Sequence, residues 1–392
     1  MIETGLDILL LADSEILKKE SKVGLLSHGA GVDGKLVHSS RRLVEKCGSG
    51  LVMLFGPEHG MRGEAQDMEP VERYVDRATG RQVVSLYGSD EDSLSPAREA
   101  FDELDVLVAD LQDVGARYYT YVWTLVRCLD VAANAGVKVV VCDRPNPLGG
   151  VAIEGAGIET GYRSFVGGHD VSVRHGMTIG ELCLMVKKER SIDVDLEVVP
   201  MKGWRRDMLF EDTALPWVLP SPNMPTRDTA LVYPGGCLVE GTQLSEGRGT
   251  TRPFEIMGAE FIDPDRLVET LYRLDLPGVL FRPVYFQPTF QKSAGKICGG
   301  IQQHVTDPAA YKSLLTGVSF LWAVRKLWPD EFRWRTHPYE FVGSIPAVDL
   351  LTGSDRFRTM LENGASPMDI SETWRAYEKE FSARREEFLL YR

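Results

Sequence analysis

Leu51-Val52-Met53-Leu54-Phe55-Gly56-Pro57-Glu58-His59-Gly60-Met61-Arg62-Gly63-Glu64 opens as an apolar run of strand length and ends in a loop full of charge. Its first five residues carry no polar side chain on either face. A half-wet strand alternates polar with apolar, whereas one covered by helices on both sides does not, so this run predicts a strand inside a parallel sheet. Gly56 and Pro57 break the pattern. Glu58 and His59 therefore emerge just past the carboxyl end of the strand, where open α/β sheets hold their ligands. A surface turn with solvated charges is the plainer reading of the same letters.

Neighbouring stretches repeat the arrangement. Lys22 to Ser27 reads as a strand that delivers Ser27, His28 and a Gly29-Ala30-Gly31 turn, with a helix near His38 to Cys47. Arg81 to Tyr87 is a further strand, followed by a helix over Pro96 to Glu103 with proline in its first turn. Asp105 to Asp110 runs into a loop with Gln112, Asp113, Arg117 and Tyr118, and a helix from Tyr121 to Ala135 stops at Gly136. Val137 to Asp143 then ends in Asp143, Arg144 and Asn146. Strands separated by helices imply right-handed crossovers and a doubly wound sheet, so these polar strand ends share one edge. A single polar strand end is usually a turn or a cap; four together more often line a ligand cleft. The Gly-Ala-Gly turn lacks the spacing of a dinucleotide fingerprint, which weakens a nucleotide reading.

Further along, Glu154 to Asp170 is irregular, Met177 to Glu189 is a helix opened by Thr178 and Glu181, and Leu196 to Val199 is an edge strand. Pro220, Pro222 and Pro225 make Leu219 to Thr226 stiff and extended, a domain boundary that also offers Asn223 to a cleft. Two domains are expected at this length, residues 1–229 and 230–392. The second reads as a smaller α+β unit. It has strand-like pieces at Leu231 to Tyr233 and Cys237 to Glu240, and a loop with Glu246 and Arg248 between Gly247 and Gly249. Those glycines suit either a hairpin tip or close approach to a ligand. Helices near Asp265 to Arg273 and Tyr311 to Trp328, strands near Val279 to Phe286 and Ile301 to Val305, and a long charged helix ending near Tyr391 complete it.

With 392 residues, 43% hydrophobic and 26% charged, the composition is that of a globular protein, and a net charge of -13 without a basic run argues against nucleic acid. No apolar run is long enough to span a membrane. The amino-terminal MIETGLDILLLADSEILKKE has an acid ahead of its apolar patch and no small-residue cleavage site, so it is not a signal peptide by pattern. Six scattered cysteines with no CxxC pair fit a reducing compartment, and a cytoplasmic location is expected.

The seven histidines never fall in HxH or HExxH spacing, so no metal centre is expected, and neither GxSxG nor a P-loop is present. Carboxylates, amides, arginines and tyrosines dominate the candidate loops. These are the groups of carbohydrate sites, in which carboxyls move protons or attack the anomeric carbon, amides and acids bind hydroxyls, and rings cover sugar faces. Arg117, Arg144 and Arg248 are suited to a carboxylate on the ligand.

FGPEHGMRGE (residues 55–64), DLQDVGARYYTY (110–121), DRPNPLGG (143–150), PSPNMPT (220–226) and EGTQLSEGRGTTRPFE (240–255), in that order, resemble the NamZ-type exo-β-N-acetylmuramidases of bacteria. The resemblance spans nearly the whole chain. It implies a Rossmann-like doubly wound sheet domain followed by a smaller α+β domain, with a cleft between them. It also implies a glycoside hydrolase without cofactor that releases N-acetylmuramic acid (MurNAc) from the non-reducing end of peptidoglycan fragments. Glu58 is the implied main catalytic carboxyl, with Asp113 and Glu246 as candidates for a second. Ser27, His28, His59, Arg62, Gln112, Arg117, Tyr118, Asp143, Arg144, Asn146, Asn223 and Arg248 are the expected substrate-binding set. The expected partner is a MurNAc-containing disaccharide or muropeptide, rather than nucleic acid or membrane. Relatives acting on the wall often carry an export signal, which keeps secretion open. A non-catalytic muropeptide sensor and a nucleotide-sugar enzyme are the alternative functions.

Overall fold

The computed structural model describes residues 1–11, 16, 17 and 20–392; part of the amino-terminal stretch read above, residues 12–15, 18 and 19, lies outside them. Strands β1 (Val23–Ser27), β2 (Leu51–Gly56), β3 (Tyr74–Val75), β4 (Gln82–Ser85), β5 (Val106–Asp110), β6 (Lys138–Cys142) and β7 (Leu196–Val199) form one sheet in the order β3-β4-β2-β1-β5-β6-β7. All neighbours are parallel except β3 with β4. Counting only the parallel strands in order of appearance gives 3-2-1-4-5-6, the doubly wound order, whose direction reverses between β1 and β5.

The absence of polar residues in these strands has a direct structural counterpart. Successive side chains point to opposite faces, and each face has its own core. Leu26, Leu107, Ala109, Val139 and Val141 join one cluster with helices α3 (Tyr121–Ala135) and α4 (Ile179–Glu189). Val23, Leu25, Val106, Val108 and Val140 join the other, with α1 (Gly5–Leu9) and α2 (Ser39–Cys47). Helix α3 ends at Gly136 with φ 70°, and α4 starts with reciprocal Thr178 and Glu181 caps, as the sequence predicts.

The carboxy-terminal half holds α5 (Arg227–Gly236), a three-stranded antiparallel sheet and α6 (Pro264–Tyr272). The strands β8 (Ile256–Ala259), β9 (Val279–Phe286) and β10 (Cys298–Val305) lie in the order β8-β10-β9. Helix α7 (Ser313–Leu327) and the short helices α8 (Ala347–Thr352), α9 (Arg356–Glu362), α10 (Pro367–Glu372) and α11 (Arg375–Arg385) follow. Helices α5 and α7 approach so closely that a Cβ on Gly235 would lie 1.9 Å from the Ser313 carbonyl oxygen, and one on Gly317 would lie 2.2 Å from that of Gly235. The apolar cluster on the α3 side of the main sheet continues without a break into α5 and α7.

Four local expectations change. The predicted helix at Pro96 to Glu103 is only a 3₁₀ turn at Arg98–Ala100, because the chain must bend there to bury Phe101 and Leu104 before entering β5. The strand-like pieces at Leu231 to Tyr233 and Cys237 to Glu240 are helix α5 and a 3₁₀ turn. Thr226 caps α5 by accepting from the Thr229 N–H, and the apolar side chains are buried around the whole helix rather than alternately. Strand β8, pairing with β10, was not anticipated. The terminal helix stops at Arg385, and an extended tail carries Tyr391 back to the first sheet, where its hydroxyl donates to Asp143.

Candidate active site

Glu58 leaves β2 as expected and is 6% exposed. Its Oε2 accepts from the Thr120 hydroxyl at 2.8 Å and its Oε1 from the Met68 N–H at 3.4 Å. His59 follows with φ 69°, and its Nδ1 lies 3.0 Å from the Ala65 carbonyl oxygen, which ties down the loop leading to Met68. Positive φ at a non-glycine residue is unfavourable and gathers at functional sites.

A cavity opens beside this carboxyl, lined by Glu58, His59, Tyr119, Tyr121, Tyr233, Arg248 and Glu340 among others. The cavity is narrow, with a volume of about 40 Å³. A sugar ring enters only if the walls part. Those walls are aromatic: Tyr119 and Tyr121 meet edge to face at 4.8 Å, and Tyr233 meets Phe254 at 4.9 Å. Such rings offer flat apolar faces to a pyranose, and the Tyr121 hydroxyl is held by a hydrogen bond of its own.

The proline-rich segment completes the rim. The Pro220 carbonyl accepts from the Tyr121 hydroxyl at 2.7 Å and faces His28 Nδ1 at 3.0 Å. His28 Nε2 in turn receives the Gln112 N–H at 2.9 Å, so Nδ1 carries the ring proton. Burial pushes the imidazole down to about 3, which keeps it neutral. Held this way, the segment presents Ser221 and Asn223 to the cavity, with Asn223 Nδ2 donating to Gln66 Oε1 at 3.0 Å.

Glu58, Asp67, Glu240 and Glu340 line the cavity with Glu246 behind them, and Arg248 and Lys292 are the cations paired with Asp67, Glu240 and Glu246. Arg248 lies 2.8 Å from Glu240, 3.3 Å from Asp67 and 3.7 Å from Glu246, with its guanidinium over the Phe254 ring. Lys292 donates to Glu246 at 2.9 Å. Burial pushes Glu246 up, but Lys292 and Arg248 hold it below the usual range; burial and neighbouring carboxylates keep Glu240 above it. Nε and Nη1 of Arg248 have no hydrogen-bond partner among the described residues.

Glu58, His59, Tyr118, Asn223 and Arg248 of the expected set line the cavity, and Glu246 stands behind Arg248. The others lie elsewhere. Arg117 is fully buried and donates to the carbonyls of Ala156, Val171 and Leu351. Arg144 forms a buried pair with Asp110 and reaches the Val32 carbonyl. Asp143 accepts from Thr178, Gly180 and Tyr391, Asn146 caps its own turn, and Gln112 donates to the carbonyls of Asp113 and Pro145. Asp113 accepts from the Gly115 N–H and sits 3.5 Å from His175. Ser27 contacts Ser39, and Arg62 pairs with Asp76. A Cβ on Gly247 or Gly249 would strike the backbone of Ile256 or Phe290, so these glycines serve packing within the chain.

Tyr119, Thr120 and Tyr121 lie in the DLQDVGARYYTY block, where nothing in the spacing distinguishes them from their neighbours. Glu240 stood at the head of the 240–255 block, but Asp67, Tyr339 and Glu340 gave no local signal, because only the packing of the two halves brings them to the cavity.

Residues 23–228 match the family model described as exo-beta-N-acetylmuramidase NamZ, N-terminal, and residues 231–391 match its C-terminal counterpart. The chain is 45% identical over 390 residues to peptidoglycan beta-N-acetylmuramidase NamZ of Bacillus subtilis (strain 168), a match covering 100% of this chain and 91% of the relative. Crystal structures of two DUF1343 family proteins from Bacteroides fragilis NCTC 9343 superpose on it with TM-scores of 0.90 and 0.75, at 32% and 28% identity. Each match covers 100% of this chain and 99% of the other.

Proposed function

The chain belongs to the exo-β-N-acetylmuramidase NamZ family, and from that membership we propose that Glu58 is the carboxyl with which it cleaves the bond of a non-reducing-end MurNAc. The protein is a glycoside hydrolase acting on peptidoglycan-derived MurNAc. The observation that carries the role of Glu58 is its position: a buried carboxyl at the carboxyl end of β2, fixed by Thr120, on the wall of an aromatic cavity. There it can exchange a proton with the reacting oxygen or with water.

Arg248 is the best-placed group for the lactyl carboxylate that separates MurNAc from N-acetylglucosamine. It is the one arginine of the three considered that lines the cavity, and its Nη1 takes no hydrogen-bond partner among the described residues, while its Nε is ion-paired with Asp67. The tyrosine rings supply the sugar platform. Each sheet is confined to one of the units 1–229 and 230–392, but that boundary cuts helix α5 and one apolar cluster spans it, so the two units share a core; Arg248 and Glu240 enter the cavity from the second. The substrate is a small fragment, MurNAc-GlcNAc or a muropeptide. Among the described residues no helix is long and apolar enough to cross a membrane. Action in the cytoplasm on recycled fragments is supported by six cysteines, all of them unbonded thiols.

Incubation with a chromogenic MurNAc glycoside and with MurNAc-GlcNAc, without nucleotide, tests the activity. Release of MurNAc is expected. Binding without turnover would contradict it.

A further inference from the structure

Five carboxyls gather at the cavity, and three of them, Asp67, Glu240 and Glu246, are in ion pairs with Arg248 or Lys292. The two without a cation among the described residues are Glu58 and Glu340. Glu340 arrives from the carboxy-terminal half on a tight turn. Tyr339 and Val342 exchange backbone hydrogen bonds of 2.9 Å, and the two residues between them, Glu340 and Phe341, have φ of 45° and 67°. Turns with positive φ at both central positions favour Asn-Gly, and Glu-Phe is a costly occupant. Such strain persists only where surrounding structure over-determines it, and it clusters at functional sites.

The surroundings here do hold it. The Tyr339 hydroxyl donates to Glu240 at 2.7 Å, the Phe341 ring packs on Tyr87 at 5.6 Å, and the Tyr87 hydroxyl donates to Glu340 Oε2 at 3.0 Å. Glu340 Oε1 takes no hydrogen bond from the described residues, on a side chain that is nearly buried yet lines the cavity. The chain thus pays for a strained turn whose product is one carboxyl oxygen facing the same space as Glu58.

We propose that Glu340 is the second catalytic carboxyl, the acid that protonates the leaving sugar while Glu58 takes the proton of the attacking water. This rests on the glycosidase reading above. Burial, and after it the facing Glu58, hold the Glu340 carboxyl well above the usual range, so it keeps its proton. Paired carboxyls in unlike surroundings are how glycosidases divide acid from base. As the bond from the MurNAc anomeric carbon to the leaving oxygen breaks, the Glu340 proton passes to that oxygen. A water oxygen bonds to the anomeric carbon and gives its proton to Glu58. One proton leaves the pair and one arrives, and exchange with solvent resets it.

Leaving-group dependence separates this acid from a merely structural glutamate. The purified full chain and its Glu340→Gln and Tyr87→Phe variants are assayed on MurNAc-GlcNAc and on a dinitrophenyl MurNAc glycoside, whose leaving group needs no proton. Loss of general acid catalysis is worth about 100- to 10,000-fold. Glu340→Gln is expected to lose that much kcat/KM on the disaccharide while staying within about 10-fold of wild type on the aryl glycoside, and Tyr87→Phe to show the same split on a smaller scale. Equal losses on both substrates in the two variants, or an unimpaired disaccharide rate in Glu340→Gln, would overturn the role of Glu340. A wild-type protein that cleaves neither substrate would instead overturn the glycosidase reading beneath it.

Discussion

Thr120 Oγ1 donates to Glu58 Oε2 at 2.8 Å, linking the residue that precedes helix α3 to a carboxyl two residues past the end of strand β2. The bond crosses the edge of the sheet and fixes the carboxyl against the cavity wall. A hydrogen bond to a charged group is worth about 1.5 to 3 kcal/mol, roughly 10- to 150-fold in rate if all of it is used in positioning. Thr120→Val is therefore expected to lower kcat/KM by at least about 10-fold on that scale, while Thr120→Ser keeps most of the activity. Steady-state kinetics on a chromogenic MurNAc glycoside provide the check, and equal rates for the Val variant and wild type would remove the bond from the mechanism.

Arg248 gives a prediction about substrate choice. Arg248→Gln retains hydrogen-bonding capacity but loses the charge, so the Michaelis constant for a MurNAc glycoside should rise about 10-fold or more, the scale of a charge-assisted contact. The N-acetylglucosamine analogue lacks the lactyl carboxylate and should be affected far less. Parallel kinetics on the two glycosides test this, and equal effects on both would point to a role confined to holding Asp67, Glu240 and Glu246.

Arg117 should behave in the opposite way. Its guanidinium joins the Ala156, Val171 and Leu351 carbonyls in the interior, so Arg117→Met leaves three buried acceptors without a donor. Each such group costs about 1 to 3 kcal/mol. Urea denaturation should show a loss of several kcal/mol, with an unchanged Michaelis constant for the molecules that remain folded. A normal stability with a raised Michaelis constant would return Arg117 to the substrate.

The stability of the fold should also depend on pH through Asp143. Burial pushes this carboxyl up to about 7, against hydrogen bonds from Tyr391, Thr178 and the Gly180 N–H. A carboxyl whose pKa is higher folded than unfolded binds its proton more tightly in the native state, so its contribution is complete below the unfolded value of about 4 and fades as pH rises through about 7. Asp143→Asn should flatten the fall in urea midpoint between pH 5 and pH 8. An unchanged slope would show that Asp143 is ionised across the range.

Much of the main sheet could be read directly, since buried parallel strands are apolar on both faces and β1, β2, β5 and β6 have that pattern. The shared polar edge was legible for the same reason. Which polar groups turn into a cavity was not. A strand-end loop needs carboxylates, amides and arginines to satisfy its own backbone, and Asp143, Asn146 and Gln112 serve that purpose with the same letters a sugar site would use. The Asp110–Arg144 pair likewise ties the end of β5 to the loop after β6. Glu340 was invisible because its position depends on how the second half packs on the first and on a turn conformation that Glu-Phe rarely adopts. Leu231 to Tyr233 misled because a run of buried apolar residues fits a core helix as well as a strand.

The central claim is that the Glu58 carboxyl performs the chemistry. Glu58→Gln keeps the size of the side chain and an acceptor for Thr120 but cannot exchange the proton. The decisive measurement is kcat/KM for MurNAc release from MurNAc-GlcNAc by wild type and Glu58→Gln, with thermal unfolding as the control for folding. The predicted result is a loss of about 100- to 10,000-fold with a thermal midpoint near that of wild type. A Glu58→Gln protein that releases MurNAc at close to the wild-type rate would contradict the account.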